Sequence, residues 1–436
     1  MIGSLQNIAK VPELKRRVLY TVGLLAVYRV GVHIPTPGVD GSALSDFFQA
    51  QASSLLTFFD LFSGGALSQM AIFALGIMPY ISASIILELL TVVVPHLAKL
   101  KKEGEAGRKK ITQYTRYGTV ILSVIQGTGI SIGLESMQSP AGAPIVVDPG
   151  WGFRMLTVLT LTSGTAFLMW LGEQISERGI GNGISLIIFS GIVASIPSAV
   201  LNTFRLVGQR ELQPLVMLAV LVMMGVVIAA IVFMETGQRR ISVQYAKRVV
   251  GRRMMGGQST HLPLKINTSG VIPPIFASSL IVFPTTITQF IDHPWMRSIS
   301  QSLSPGTIFY SLVTTVLIFF FCYFYTSIIF NPVDVADNMK KYGGYVPGIR
   351  PGKRTSEYIE RVLTRLTFVG AIYLSFVVIM PTYLIRFLNV PFFFGGTALL
   401  IVVGVALDTM QQIESHLVMR HYEGFIKRGR MRGRRG

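Results

Sequence analysis

A single cysteine, Cys322, stands in a chain of 436 residues. One thiol excludes a disulfide framework within the chain, and the apolar run around it suits a small buried hydrophobe. Charge is also scarce. Only 14% of the residues are Asp, Glu, Lys or Arg, against about a quarter in a soluble globular domain. Metal-ligand clusters are missing: His33, His96, His261, His293, His416 and His421 are scattered, and no His-Glu-x-x-His motif occurs. No convergent His, Asp or Glu groups suggest a catalytic constellation, so neither an enzyme nor a bound cofactor is expected. Gly348 to Thr355 falls short of a phosphate loop, with three residues between the glycines where four are needed and Arg354 where Ser or Thr should bind magnesium. Gly179-Ile180-Gly181-Asn182-Gly183 follows no strand, and is read as a tight turn into a helix.

What the chain has in abundance is apolar sequence. Half of its residues are hydrophobic, and the pattern predicts ten membrane spans at 17–34, 71–91, 113–133, 153–171, 181–199, 213–234, 269–288, 307–329, 365–385 and 394–411. The first run lacks a cleavage pattern of small residues and is read as a retained span. The net charge is +18, and its placement sets orientation. Lys10, Lys15, Arg16 and Arg17 precede the first span, whereas connections 35–70 and 134–152 carry no Lys or Arg. Connections 92–112, 235–268 and 330–364 and the tail from Arg420 to Arg435 are all basic. The alternation predicts both termini in the cytoplasm and accounts for most of the charge without nucleic acid. Connections 235–268 and 330–364 are each over 30 residues long, longer than topology requires, and are read as docking surfaces.

Ionisable groups within the spans are few. Arg29 lies near the outer end of the first, where it is expected to snorkel, and Asp408 near the inner end of the last. Glu88 lies well inside the second span. A central charge costs roughly 2.5–3.5 kcal/mol on insertion scales, so Glu88 should face other helices or water, either as a structural partner or in a gate. An ion-coupled transporter would place more such groups at mid-membrane. Ile77 and Ile81 share a helix face, as do Ile184 and Ile188. Spacing alone allows packing, lipid contact or a common site. The apolar stretch from Leu55 to Leu67 would be about 20 Å long as a helix, too short to cross. It fits an interfacial helix, a re-entrant segment or a movable stopper.

Several long runs carry a family resemblance. Ile34-Pro35-Thr36-Pro37-Gly38-Val39-Asp40 follows the first span, and Phe62-Ser63-Gly64-Gly65-Ala66-Leu67 leads into Ile72 to Ile81. Gly172-Glu173-Gln174-Ile175 runs into Arg178 to Ser185, Gln258 to Lys265 precedes the seventh span, and Val346 to Gly352 lies in the second long connection. In these the chain resembles the SecY family across nearly its whole length. The resemblance implies an all-α membrane protein of ten transmembrane helices, in two pseudo-symmetric halves of five around an hourglass pore. The implied divisions are a cytoplasmic arm (1–16), a first half (17–200) with a plug at 55–68, a second half (213–411) and a basic cytoplasmic tail (412–436).

The resemblance also implies roles. Ile77, Ile81, Ile184, Ile188, Ile275 and Ile401 fall at the pore ring, an apolar constriction through which an unfolded chain slides without strong hydrogen bonds. Leu55, Phe58, Phe59, Leu61, Phe62, Gly64 and Gly65 fall in the plug. Ser84 and Glu88 fall in a lateral gate between spans two and seven, where the family more usually carries a neutral amide in place of Glu88. Arg239, Arg240, Arg252, Arg253 and Arg350 fall in the partner-docking loops. The implied partners are the small membrane subunits SecE and SecG, the SecA motor ATPase and the ribosome with its ribosomal RNA. Signal sequences and nascent polypeptides are the implied cargo, with membrane lipid at the lateral opening. The implied function is a protein-conducting channel of the bacterial inner membrane, with no energy source of its own.

Overall fold

The computed structural model describes residues 11–50, 60, 62–137, 142, 144–209, 213–245, 248–250, 253–255, 259–290, 302–304, 306–388 and 395–432. Helices dominate: α1 (Pro12–Val32), α2 (Gly41–Ala50), α3 (Met78–Val93), α4 (Pro95–Lys102), α5 (Glu105–Ser136), α6 (Trp151–Arg178), α7 (Gly183–Gly208) and α8 (Pro214–Thr236) come first. Strands β1 (Gln238–Tyr245), β2 (Arg248–Val250), β3 (Arg253–Met255) and β4 (Ser259–Lys265) follow, then α9 (Ile272–Phe290), α10 (Ile308–Ile329), α11 (Pro332–Lys341), β5 (Gly344–Tyr345), α12 (Lys353–Leu388) and α13 (Gly396–Arg432).

Among the described residues seven helices are long and apolar enough to cross a membrane, or eight if α3 and α4 are one bent span. The first and seventh predicted spans coincide with α1 and α9, of 21 and 19 residues. The second span differs from expectation. Residues 71–77 are not helical: Met70 and Gly76 adopt left-handed φ values of 43° and 56°, and α3 starts only at Met78, with Pro79 in its first turn. A proline there costs nothing, because its missing N–H would be unpaired anyway. At the other end, Val94 is extended and the chain turns by 99° into α4, as the residue before a proline favours.

Two compact units are distinguishable. The first comprises residues 1–209, 279–305 and 401–436. In it α5 packs on α3 and α6, and α6 on α1 and α7. The stretch 62–77 threads between glycine notches. A Cβ on Gly31 would lie 2.0 Å from the Phe73 ring, and one on Gly164 would lie 1.9 Å from the Ile72 carbonyl oxygen. The Phe73 ring stacks between Tyr28 and Phe167, each at 6.0 Å. Outside the spans, Pro35 bridges to Ala71 and Val39 to Val146.

The second unit comprises 210–278 and 306–400. Its two long connections pack against each other. They fold into one small body, with antiparallel sheet order β4-β1-β5. Along β1, Ile241 and Val243 point inward while their neighbours face out. They join Leu264, Met339, Val346, Ile359 and Leu363 in a buried cluster, with Val335 and Val362 packed against it. The strands β2 and β3 form a separate hairpin. Cys322 is buried and free, as anticipated.

Candidate functional site

The six isoleucines lie at or near helix starts. Ile77 caps α3, and its carbonyl accepts the first helical bond from the Ile81 N–H at 3.1 Å. Ile184 and Ile188 occupy the opening turns of α7, which Asn182 caps by accepting from the Ile184 and Ser185 N–H groups. Ile401 is in the second turn of α13 and Ile275 in the first turn of α9. All are buried except Ile184, which is half-buried. Ile77, Ile81, Ile184, Ile188 and Ile401 belong to the first compact unit and Ile275 to the second. Met78, next to Ile77, accepts a weak hydrogen bond from the Ser279 hydroxyl of α9 at 3.8 Å, so the second and seventh spans touch beside the ring candidates.

The end of the proposed plug is tightly organised. Leu55, Phe58, Phe59 and Leu61 lie outside the described residues, but Phe62 is buried, and Gly64 and Gly65 take left-handed φ of 71° and 87°. Asp60 holds the turn. One carboxylate oxygen accepts from the N–H groups of Leu67 and Ser68, each at 2.9 Å, and from the Ser63 hydroxyl at 3.3 Å. Burial pushes this carboxyl above its ordinary value, against the opposing pull of the hydrogen bonds from Ser68, Leu67 and Ser63. Tyr28 donates to the Ser63 carbonyl at 2.9 Å. Arg29 does not snorkel: its half-buried guanidinium turns inward to main-chain carbonyls. The sequence points to neither Tyr28 nor Asp60 and predicts snorkelling for Arg29, because main-chain partners leave no residue pattern to read.

Of the two gate candidates, Ser84 is half-buried on α3. Glu88 has a cationic partner, Lys101 of α4, with Nζ to Oε1 at 3.6 Å. The 99° bend brings the two together. This agrees with the expectation that an intramembrane carboxylate finds a neighbour.

Arg239 and Arg240 are exposed on β1, and Arg350 is exposed in the turn before α12. Thr355 donates to the Arg350 carbonyl at 2.9 Å, and the Thr355 and Ser356 N–H groups bond the Gly352 carbonyl. Arg253 lies on β3, and Arg252 falls outside the described residues. The shared core beside Arg239, Arg240 and Arg350 is not predicted from the sequence. The alternation in Gln238-Arg239-Arg240-Ile241-Ser242-Val243-Gln244-Tyr245 carried the signal of a half-buried strand. Beneath β4, Asn267 is buried and donates to Glu235 at 2.6 Å and to the Gly270 carbonyl at 2.9 Å. This fixes the turn that leads from the sheet into α9. The turn at Gly179–Gly183 is the helix link expected: Ile180 N–H bonds the Thr21 hydroxyl at 3.1 Å and Gly181 N–H bonds Gln412 at 2.9 Å.

Fold and sequence together define a multi-pass membrane protein with a folded basic body built from two of its connections. The family model that matches is SecY, over residues 71–410. The chain therefore belongs to the SecY family. The protein translocase subunit SecY of Escherichia coli K12 is 52% identical, over 97% of this chain and 96% of that protein. A solved structure concerning the plug domain of SecY, described as stabilising the closed state of the translocation channel, superposes with a TM-score of 0.69 at 18% identity over 92% of both chains. Sec61 in the canine ribosome-channel complex from the endoplasmic reticulum gives 0.64 at 16% identity over 92% of both.

Proposed function

We infer that this chain is the pore-forming subunit of a protein-conducting channel, passing unfolded secretory polypeptides across the bacterial inner membrane and releasing apolar segments sideways into lipid. The observation that carries this reading is the family match together with six isoleucines at helix starts, where a ring of equal apolar side chains can dewet and can fit around an extended chain. In this reading Ile77, Ile81, Ile184, Ile188, Ile275 and Ile401 form the constriction. Phe62, Gly64 and Gly65 end the segment 55–68 that seals it at rest. The two halves, 17–200 and 213–411, part between spans two and seven, where Ser84 and Glu88 lie.

Work comes from partners. Arg239, Arg240, Arg252, Arg253 and Arg350 present cations to ribosomal RNA or to the SecA motor, and contact with RNA weakens with salt. The solved Sec61–ribosome complex supports the first of these partners. SecE and SecG complete the channel in the bilayer, and the basic connections keep both termini cytoplasmic. Reconstitution with the small subunits and the motor tests the reading. ATP-dependent entry of a secretory precursor into vesicles is expected; solute uptake with no precursor movement would point to a transporter instead.

A further inference from the structure

Arg29 has no ion-pair partner among the described residues, although it sits half-buried in the last turn of α1, the first span predicted from the sequence. A guanidinium there is costly unless its donors are used. They are used on two separate elements. One terminal nitrogen donates to the Gly64 carbonyl at 3.0 Å, and the other to the carbonyls of Ser190 at 2.6 Å and Gly191 at 3.1 Å, inside α7. The neighbouring Tyr28 hydroxyl holds the Ser63 carbonyl. The backbones these groups draw together nearly touch: a Cβ on Gly64 would lie 2.8 Å from the Gly191 Cα. α1, the 63–64 turn and α7 are thus joined by a single planar fork, a geometry that lysine cannot reproduce.

We propose that Arg29, assisted by Tyr28, is a positioning residue that ties the Ser63–Gly64 turn to α7. The tie thereby sets the resting placement of the two segments that carry Ile77 and Ile188. It rests on the channel reading above and deepens it. Ile188 lies just two residues before the bonded Ser190, and the stretch leading from Gly64 ends at Ile77. Loosening the tie lets these segments shift, and the resting channel leaks while its path for a polypeptide survives.

The test uses the full chain with its small subunits in vesicles, reading resting potassium efflux and motor-driven precursor entry on the same preparation. Arg29→Met is expected to raise resting efflux about tenfold, the population shift that losing charge-assisted hydrogen bonds permits. Precursor entry should persist and accept a less hydrophobic signal segment. Arg29→Lys should fall between, since an ammonium restores the charge but not the fork. Tyr28→Phe should shift efflux in the same direction by less. Simple misfolding would instead lower precursor entry in proportion to the channels lost. Wild-type precursor entry with unchanged efflux in Arg29→Met overturns the tie alone; if that variant fails to insert, unchanged efflux in Tyr28→Phe does so. Wild-type vesicles that admit no precursor overturn the channel reading and the tie with it.

Discussion

At Asp60 two forces oppose each other. Desolvation favours the neutral acid, while hydrogen bonds from two N–H groups and a hydroxyl favour the anion, and desolvation prevails. A carboxyl raised in the folded state contributes most at pH below its ordinary value of 3.8, and that contribution is lost as pH rises through the folded value. The turn from Asp60 to Ser68 should therefore be more stable in weak acid than at neutrality. Asp60→Asn keeps an acceptor oxygen without the charge, so it should hold the turn and flatten the pH dependence. Asp60→Ala should lose the turn at every pH. Hydrogen exchange at the Leu67 and Ser68 amides, corrected for the intrinsic pH dependence, measures both. Little of this was legible beforehand. Glu88 could be flagged because a charge inside an apolar run stands out, but Asp60 and Arg29 act on backbone groups, which every residue has.

At the scale of elements, β1, β4, β5, α11 and the start of α12 share one core, so the two long connections should fail together. Leu264 is 2% exposed, and Leu264→Ala should cost about 2–5 kcal/mol. Limited proteolysis should then nick 330–364 as readily as 235–268, although the substitution lies in only one of them. Arg350→Glu, at an exposed position, should leave the protease pattern unchanged while impairing motor- or ribosome-driven transport; normal transport in that variant would remove the docking role. Hydropathy located the seven helices that, among the described residues, are long and apolar enough to cross a membrane, because about 20 apolar residues in a row need no tertiary information. It failed at the start of α3, where residues 71–77 are apolar enough to span yet are held in turns by Gly76 and the Pro35–Ala71 bridge. It also failed on the sheet, where β1 pairs with β4 across 13 residues of intervening chain and with β5 across 98.

For the whole molecule the decisive property is leak. If Ile77, Ile81, Ile184, Ile188, Ile275 and Ile401 form the proposed ring, replacing several by glycine should raise resting ion conductance in planar bilayers; unchanged conductance would count against the ring. The positions of these residues near helix starts could be read from sequence, but the common role proposed for them could not, since isoleucine in a membrane span is ordinary and periodicity relates only residues of one helix. The folded body on the long connections has a mechanical corollary. α8 runs into β1, β4 leads through the Asn267 turn into α9, α10 runs into α11, and α12 supplies Ile359 and Leu363 to the same cluster. Four helices are thus rooted in one small folded body. In the docking reading proposed above, partners that engage different arginines of this body therefore act on the same four helices.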